Sequence, residues 1–208
     1  MTARIEKAVT SGTFSLDGGT WDVDNNVWLI GDDTEVIVID APHDAATIIE
    51  AVEGRTVKAV VLTHGHNDHI NAARELAAAV SAPVWFPPED RMLWDAVYDT
   101  APEHDLVDGT EFTIGGVTML AMHTPGHSPG STCLYVPELG TVFSGDTLFH
   151  GGPGATGRSY SSFDTIIESI RTRLLTLPFE TVVHTGHGDS TVIGEEAPHL
   201  DDWIARGH

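Results

Sequence analysis

Three imidazoles and a carboxylate, His64, His66, Asp68 and His69, fall within the short segment Thr63-His64-Gly65-His66-Asn67-Asp68-His69. Imidazolium groups and carboxylates are costly to bury unpaired, so this density serves no purpose in packing. It does suit a divalent cation. Nitrogen and oxygen donors without thiolate favour zinc in the first place and also accommodate iron or manganese. No cysteine lies nearby, which argues against a structural Cys-rich zinc finger.

Three further segments place a His or an Asp in a glycine-rich turn after an apolar run: Thr124-Pro125-Gly126-His127-Ser128-Pro129-Gly130-Ser131, Phe143-Ser144-Gly145-Asp146-Thr147-Leu148-Phe149 and Thr185-Gly186-His187-Gly188-Asp189. Each alone reads more readily as ordinary turn chemistry than as a ligand. Taken in this order behind the first segment, the set is specific.

The elements that must position these groups alternate between strand and helix. Lys58 to Leu62 is short, apolar and rich in Val, the pattern of a buried strand, and Ile70 to Val80 reads as the helix that follows. The first segment is therefore a strand-to-helix loop, where a rigid scaffold commonly presents binding groups. Upstream, Asn26 to Ile30 and Glu35 to Ile39 flank the turn-rich Gly31-Asp32-Asp33-Thr34 and predict a hairpin, followed by a helix near Ala45 to Val52. Downstream, strands are predicted around Pro83 to Phe86, Thr110 to Ile114, Val117 to Met122, Thr132 to Val136, Thr141 to Phe143 and Thr181 to His184. A helix is predicted from Phe163 to Leu175. Hairpins mixed with strand-helix units imply an α/β layered fold, two sheets covered by helices. Residues 1–208 show no linker, low-complexity stretch or fixed-period repeat and read as one domain.

Charge narrows the partners. Ten basic residues against 31 acidic ones give a net charge of −21. Nucleic-acid binding draws on Lys and Arg contacts to phosphate, so no nucleic-acid partner is expected. No apolar run approaches the ~20 residues of a membrane span, and Met1 to Thr20 lacks the basic and apolar regions of a leader; a cytoplasmic protein with no membrane association is expected. The single cysteine, Cys133, reads as a small core residue of a strand.

The four segments together resemble the metallo-β-lactamase superfamily, and within it the short glyoxalase II-like hydrolases. The similarity runs from Asn25-Asn26 to Gly194-Glu195-Glu196. The resemblance implies a four-layer αββα sandwich with the ligands at one edge of the two sheets. It implies a first metal on His64, His66 and His127, a second on Asp68, His69 and His187, and Asp146 bridging both. Two ions about 3.5–4 Å apart could share a hydroxide, oriented by Asp68 as the catalytic carboxylate, so that no Ser or Cys nucleophile is needed. The substrate implied is a small-molecule thioester of a low-molecular-weight thiol, with Arg158 and Tyr160 against the carrier. The larger glyoxalase II enzymes continue into a helical domain with glutathione contacts; here the carrier is as compatible with mycothiol as with glutathione. Other activities compatible with the same resemblance are a mononuclear-iron persulfide dioxygenase, a lactone hydrolase and a non-catalytic metal-binding protein; a β-lactamase fits less well without an export signal.

Asp189 and the Thr63 hydroxyl are the candidates to orient ligand imidazoles. His43, His104, His123, His150, His184, His199 and His208 match no ligand position, His150 being the one with a chance of lining the pocket. Trp21, Trp28, Trp85, Trp94 and Trp203 are expected to pack in the core or at its rim.

Overall fold

The computed structural model describes residues 3–207; Met1, Thr2 and His208 lie outside them. The first sheet runs in spatial order through β1 (Arg4–Leu16), β2 (Gly19–Gly31), β3 (Glu35–Ile39), β4 (Thr56–Val61), β5 (Val84–Phe86) and β6 (His104–Asp105). β1 to β3 pair antiparallel and β3 to β6 parallel. The second contains β7 (Glu111–Ile114), β8 (Val117–His123), β9 (Thr132–Val136) and β10 (Thr141–Gly145). Beyond a small ribbon of β11 (Leu148–Phe149) and β12 (Gly152–Pro153), it is completed by β13 (Val182–Thr185), parallel to β10, and β14 (Thr191–Val192). The helices are α1 (Ala45–Val52), α2 (Asn67–Ile70), α3 (Ala73–Val80), α4 (Arg91–Trp94), α5 (Phe163–Ser169), α6 (Ile193–Glu196) and α7 (Leu200–Arg206).

Strand periodicity explains the layering. Along β2 and β3, Val27, Leu29, Val36 and Val38 point to a cluster with Ile48 of α1 and Leu76 of α3. Their alternates Trp28, Ile30, Ile37 and Ile39 face Met119, Ala121, Leu134 and Phe143 of the other sheet. The far face of that sheet, with Cys133, Val142 and Val183, packs on Ile166, Ile167 and Trp203 of α5 and α7. Both sheets are thus buried on two faces, giving the expected αββα sandwich. Burial also fixes the character of Cys133, whose thiol is pushed up to about 11. Among the described residues no helix is long and apolar enough to cross a membrane.

Three expectations need correction. The β2–β3 hairpin lies where predicted, but β2 begins at Gly19 and pairs along its whole length with the unpredicted β1. The outer half of that ribbon projects past the core: Phe14, Leu16, Trp21 and Val23 alternate with polar Thr13, Ser15, Asp22 and Asp24 on either side of the Asp17-Gly18 turn, both of whose residues have positive φ, a hairpin pattern that the predicted elements left out. The helix predicted over Ile70 to Val80 is divided, because Ala41 takes its backbone groups: Ala41 N–H donates to His69 O at 2.9 Å and Ala41 O accepts from Ala72 N–H at 3.0 Å. The helix predicted over Phe163 to Leu175 is α-helical only to Ser169 and finishes in a π-helical turn over Ile170–Leu174.

Candidate metal centre

All seven predicted donors come together beyond one edge of the sandwich, on the turns that follow β4, β8, β10 and β13 and, for Asp68 and His69, on the one-turn α2 that continues the first of them. The turn after β4 is anchored by Asp40, at the end of β3. Its carboxylate accepts Thr63 N–H at 2.7 Å and the Thr63 hydroxyl at 2.9 Å, and lies 2.9 Å from His69 Nδ1. At Gly65 a Cβ would stand 2.8 Å from the Cβ atoms of Asp90 and Leu93, so the chain passes there only without a side chain. At Gly186 a Cβ would stand 2.1 Å from Asp146 Oδ1, inside the site itself.

Two sets of nitrogens converge. His66 Nδ1 is 3.1 Å from His64 Nε2 and 2.9 Å from His127 Nε2. On the other side His69 Nε2 is 3.2 Å from His187 Nε2, and Asp68 Oδ2 is 3.6 Å and 3.4 Å from those two atoms. Asp146 faces both sets: Oδ1 is 3.4 Å from His69 Nε2, and Oδ2 is 3.5 Å from His127 Nε2 and 3.4 Å from His187 Nε2. His64, His66 and His127, and likewise Asp68, His69 and His187, each offer three donor atoms within 4.8 Å of one another.

The remaining ring nitrogens of His64, His69, His127 and His187 are turned outward by fixed partners, His69 Nδ1 by Asp40 as above, while His66 Nε2 has none. His64 Nδ1 is 3.1 Å from the Thr63 hydroxyl, His127 Nδ1 is 2.8 Å from Ala155 O, and His187 Nδ1 is 2.7 Å from Asp24 O. Such partners set the tautomer that aims a lone pair inward. Asp68 Oδ1 and Asp146 Oδ1 are buried without a hydrogen-bond partner. Oxygens left so would carry a large desolvation cost, and inward lone pairs with unpartnered carboxylate oxygens are the donor set a divalent cation requires.

Electrostatics agree. Burial opposes charge on Asp146, yet His187 and His69 hold its carboxyl well below the usual range. Burial likewise opposes charge on Asp68, but His69 and His187 lower it to about 2. Burial and neighbouring imidazoles push His64 well down and His66 to about 3. His69 is the opposite case: burial is outweighed by Asp146, Asp68 and Asp40, which hold it well above the ordinary value, and His187 rises to about 10 for a similar reason. A cation entering the second set must therefore displace protons.

The site opens into a cavity of about 240 Å³ whose outer wall is Phe14, Trp21 and Arg158. Arg158 lies 3.8 Å from the centroid of Trp21 and 5.6 Å from that of Phe14. Tyr160 does not join it: it is 55% exposed, at positive φ, outside the cavity lining. His150 is exposed and also outside the lining. The Thr63 hydroxyl meets a ligand as expected, whereas Asp189 offers only its backbone carbonyl, to Thr185.

Several site residues escaped the sequence. Asn25 Nδ2 donates to Asp68 Oδ2 at 3.0 Å, and Asn25 Oδ1 is 2.8 Å from His43 Nε2. Asp40 and Asp90 grip ligand-bearing turns from remote segments. Nothing in their local sequence marks them, since an isolated Asn or Asp beside a strand or turn is common. Trp21, expected to pack in the core or at its rim, is at the rim, and with its partner Arg158 it forms part of the cavity wall.

Residues 20–187 match the family model described as the metallo-beta-lactamase superfamily. The hydroxyacylglutathione hydrolase GloC of Haemophilus influenzae is 32% identical over 188 residues, covering 82% of this chain and 89% of that protein. Among solved structures, the B3 metallo-beta-lactamase BLEG-1 superposes with a TM-score of 0.77 at 31% identity, over 92% of this chain and 98% of that one. TTHA1623, solved in a di-iron-bound form, gives 0.76 at 32% identity, over 84% and 93%. With its αββα layers, its ligand turns at one sheet edge and its sequence all matching, the chain belongs to the metallo-beta-lactamase superfamily.

Proposed function

We propose that the protein is a dinuclear metal-dependent hydrolase that cleaves a thioester of a low-molecular-weight thiol. The first ion would be held by His64, His66 and His127, the second by Asp68, His69 and His187, with Asp146 shared, zinc being the preferred metal and iron or manganese the alternatives. Bound divalent ions supply Lewis acidity and make a water nucleophilic at neutral pH. The observation that carries this reading is that both donor sets are complete around Asp146 and open on a single cavity.

The chain's own groups supply the rest. Asp68 is kept ionised and is steadied by Asn25 at Oδ2, so the carboxylate that would face the second ion can also accept a hydrogen bond from the attacking water and orient it. Water oxygen adds to the thioester carbonyl carbon as Asp68 accepts a proton from it, the C–S bond breaks, the sulfur takes up that proton and leaves as the thiol, and the acyl carbon remains as a carboxylate whose other proton passes to solvent. Arg158, set on Trp21 at the cavity mouth, is the group for an anionic carrier, since a guanidinium held on an aromatic face keeps its N–H edge free. Tyr160 can assist only if its segment moves inward. The likeness to GloC, named for a thioester of glutathione, supports the substrate class.

The test is elemental mass spectrometry of the purified protein followed by a thiol-release assay on the same sample. Near two ions per chain with thiol release supports the hydrolase. One iron with oxygen uptake on a persulfide and no thiol release would replace it with the dioxygenase.

A further inference from the structure

A second cavity, of about 330 Å³, lies between the tip of the β1–β2 ribbon and α4. His66 lines both this cavity and the metal-centre cavity, so the two adjoin at its ring. The two differ in chemistry. The metal-centre cavity carries Arg158, Asp68 and Asp146, whereas the second is walled by Leu16, Leu93, Ala96 and Val97.

The polar side chains on the second wall are already engaged. Asn67 Oδ1 accepts Ser15 N–H at 2.9 Å and Asn67 Nδ2 donates to Thr13 O at 3.4 Å. Asn71 Oδ1 accepts His43 N–H at 2.6 Å, its Nδ2 lies 3.2 Å from His43 Nδ1, and the Ser15 hydroxyl is 3.0 Å from that of Thr20. On the shared boundary the atom left over is His66 Nε2, buried and without a hydrogen-bond partner. A ligand filling this space meets mostly carbon, since the polar side chains on its wall are already paired.

From this we infer that the cavity lined by Leu16, Leu93, Ala96 and Val97 is the subsite for an unbranched apolar acyl chain, whose carbonyl end lies at the metal centre across His66. The inference rests on the proposed hydrolysis for the identity of the acyl group, while Arg158 faces the thiol side. With ~30 Å³, the liquid volume of a water, taken as the size of one methylene, the space corresponds to about eleven such groups if filled completely, and at looser filling accommodates a chain of about eight carbons. Each methylene buried contributes about 0.8 kcal/mol, close to a fourfold gain in affinity.

Straight-chain carboxylates from acetate to octanoate, the product class, provide a probe that needs no turnover. Their affinities for the metal-loaded protein would be measured by calorimetry, beside hydrolysis of the matching acyl thioesters. Affinity is expected to rise about two- to fourfold per methylene up to about eight carbons, and Ala96→Trp, at an exposed position, to abolish that rise. Val97→Phe should blunt it, and a thermal melt of each variant reports folding. Equal affinities along the series, or an undiminished rise in both folded variants, would overturn the inference. Carboxylates that bind with the rise while no thioester is cleaved would leave the subsite standing and remove the thioester reading.

Discussion

Asp90 holds Gly65 through a 2.7 Å hydrogen bond from the Gly65 backbone N–H to Asp90 Oδ2. The same oxygen accepts the Ser128 hydroxyl at 2.6 Å, and Oδ1 accepts Gly130 N–H at 2.6 Å. One fully buried carboxylate thus ties the turn carrying His64 and His66 to the turn carrying His127. Ligand geometry here depends on a residue that touches no ligand site directly, as orienting partners commonly do.

Asp90→Ala should therefore weaken metal binding by about 10–100-fold and lower stability by roughly 2–4 kcal/mol, since three buried donors lose their acceptor. Chelator competition reads the first and urea unfolding the second. Unchanged metal affinity would show that the two turns hold their geometry independently.

Asp146 faces both donor sets, so Asp146→Ala should lose hydrolysis and leave less than two ions per chain. His123 is a useful contrast. Its Nε2 is 2.8 Å from Pro129 O, away from the converging donors, and His123→Ala should retain full metal content. Elemental analysis of both variants tests the assignment, and full activity in the first would end it.

Arg158 at the cavity mouth predicts a preference for substrates with an anionic thiol carrier. In Arg158→Ala, KM for such a thioester should rise about tenfold, the equivalent of ~1.4 kcal/mol, with kcat little changed. A neutral carrier should show no such rise. If both carriers respond alike, Arg158 acts by packing on Trp21 and Phe14.

His184 gives a pH signature outside the site. Burial, with Lys7 nearby, lowers its pKa to about 4, against 6.5 for an ordinary imidazole, and its ring lies tilted against that of Trp28, the centroids 4.2 Å apart. The folded state thus favours the neutral ring. The unfolded chain takes up the proton first as pH falls below about 6.5. This contribution, at most ~2–3 kcal/mol, is present above that pH and is lost on acidification toward pH 4. Denaturant unfolding across this range should show a flatter pH dependence for His184→Gln than for the unsubstituted protein.

The donors themselves were legible because their chemistry is local: His64, His66, Asp68 and His69 crowd one turn, and His127, Asp146 and His187 each follow an apolar strand that sequence patterning identifies. The buried strands were legible for the same reason, since two-sided burial writes continuous apolar runs at Val27 to Ile30 and Val36 to Ile39. The outer half of the β1–β2 ribbon went unpredicted although Phe14, Leu16, Trp21 and Val23 alternate with polar residues about Asp17-Gly18, because half-buried strands beyond the core lack the continuous apolar runs of the buried ones and are held by backbone pairing. Asn25, Asp40 and Asp90 were hidden because their importance is relational: they act on turns distant in sequence that only the packed sheets bring within hydrogen-bond reach. The sequence by itself determined which groups could bind metal and which runs must be buried. The tertiary structure decided how those groups are aimed, that Arg158 rests on Trp21 while Tyr160 faces solvent, and that a second, apolar cavity borders His66. Lone-pair direction and cavity shape arise from contacts between remote segments, which no local pattern records.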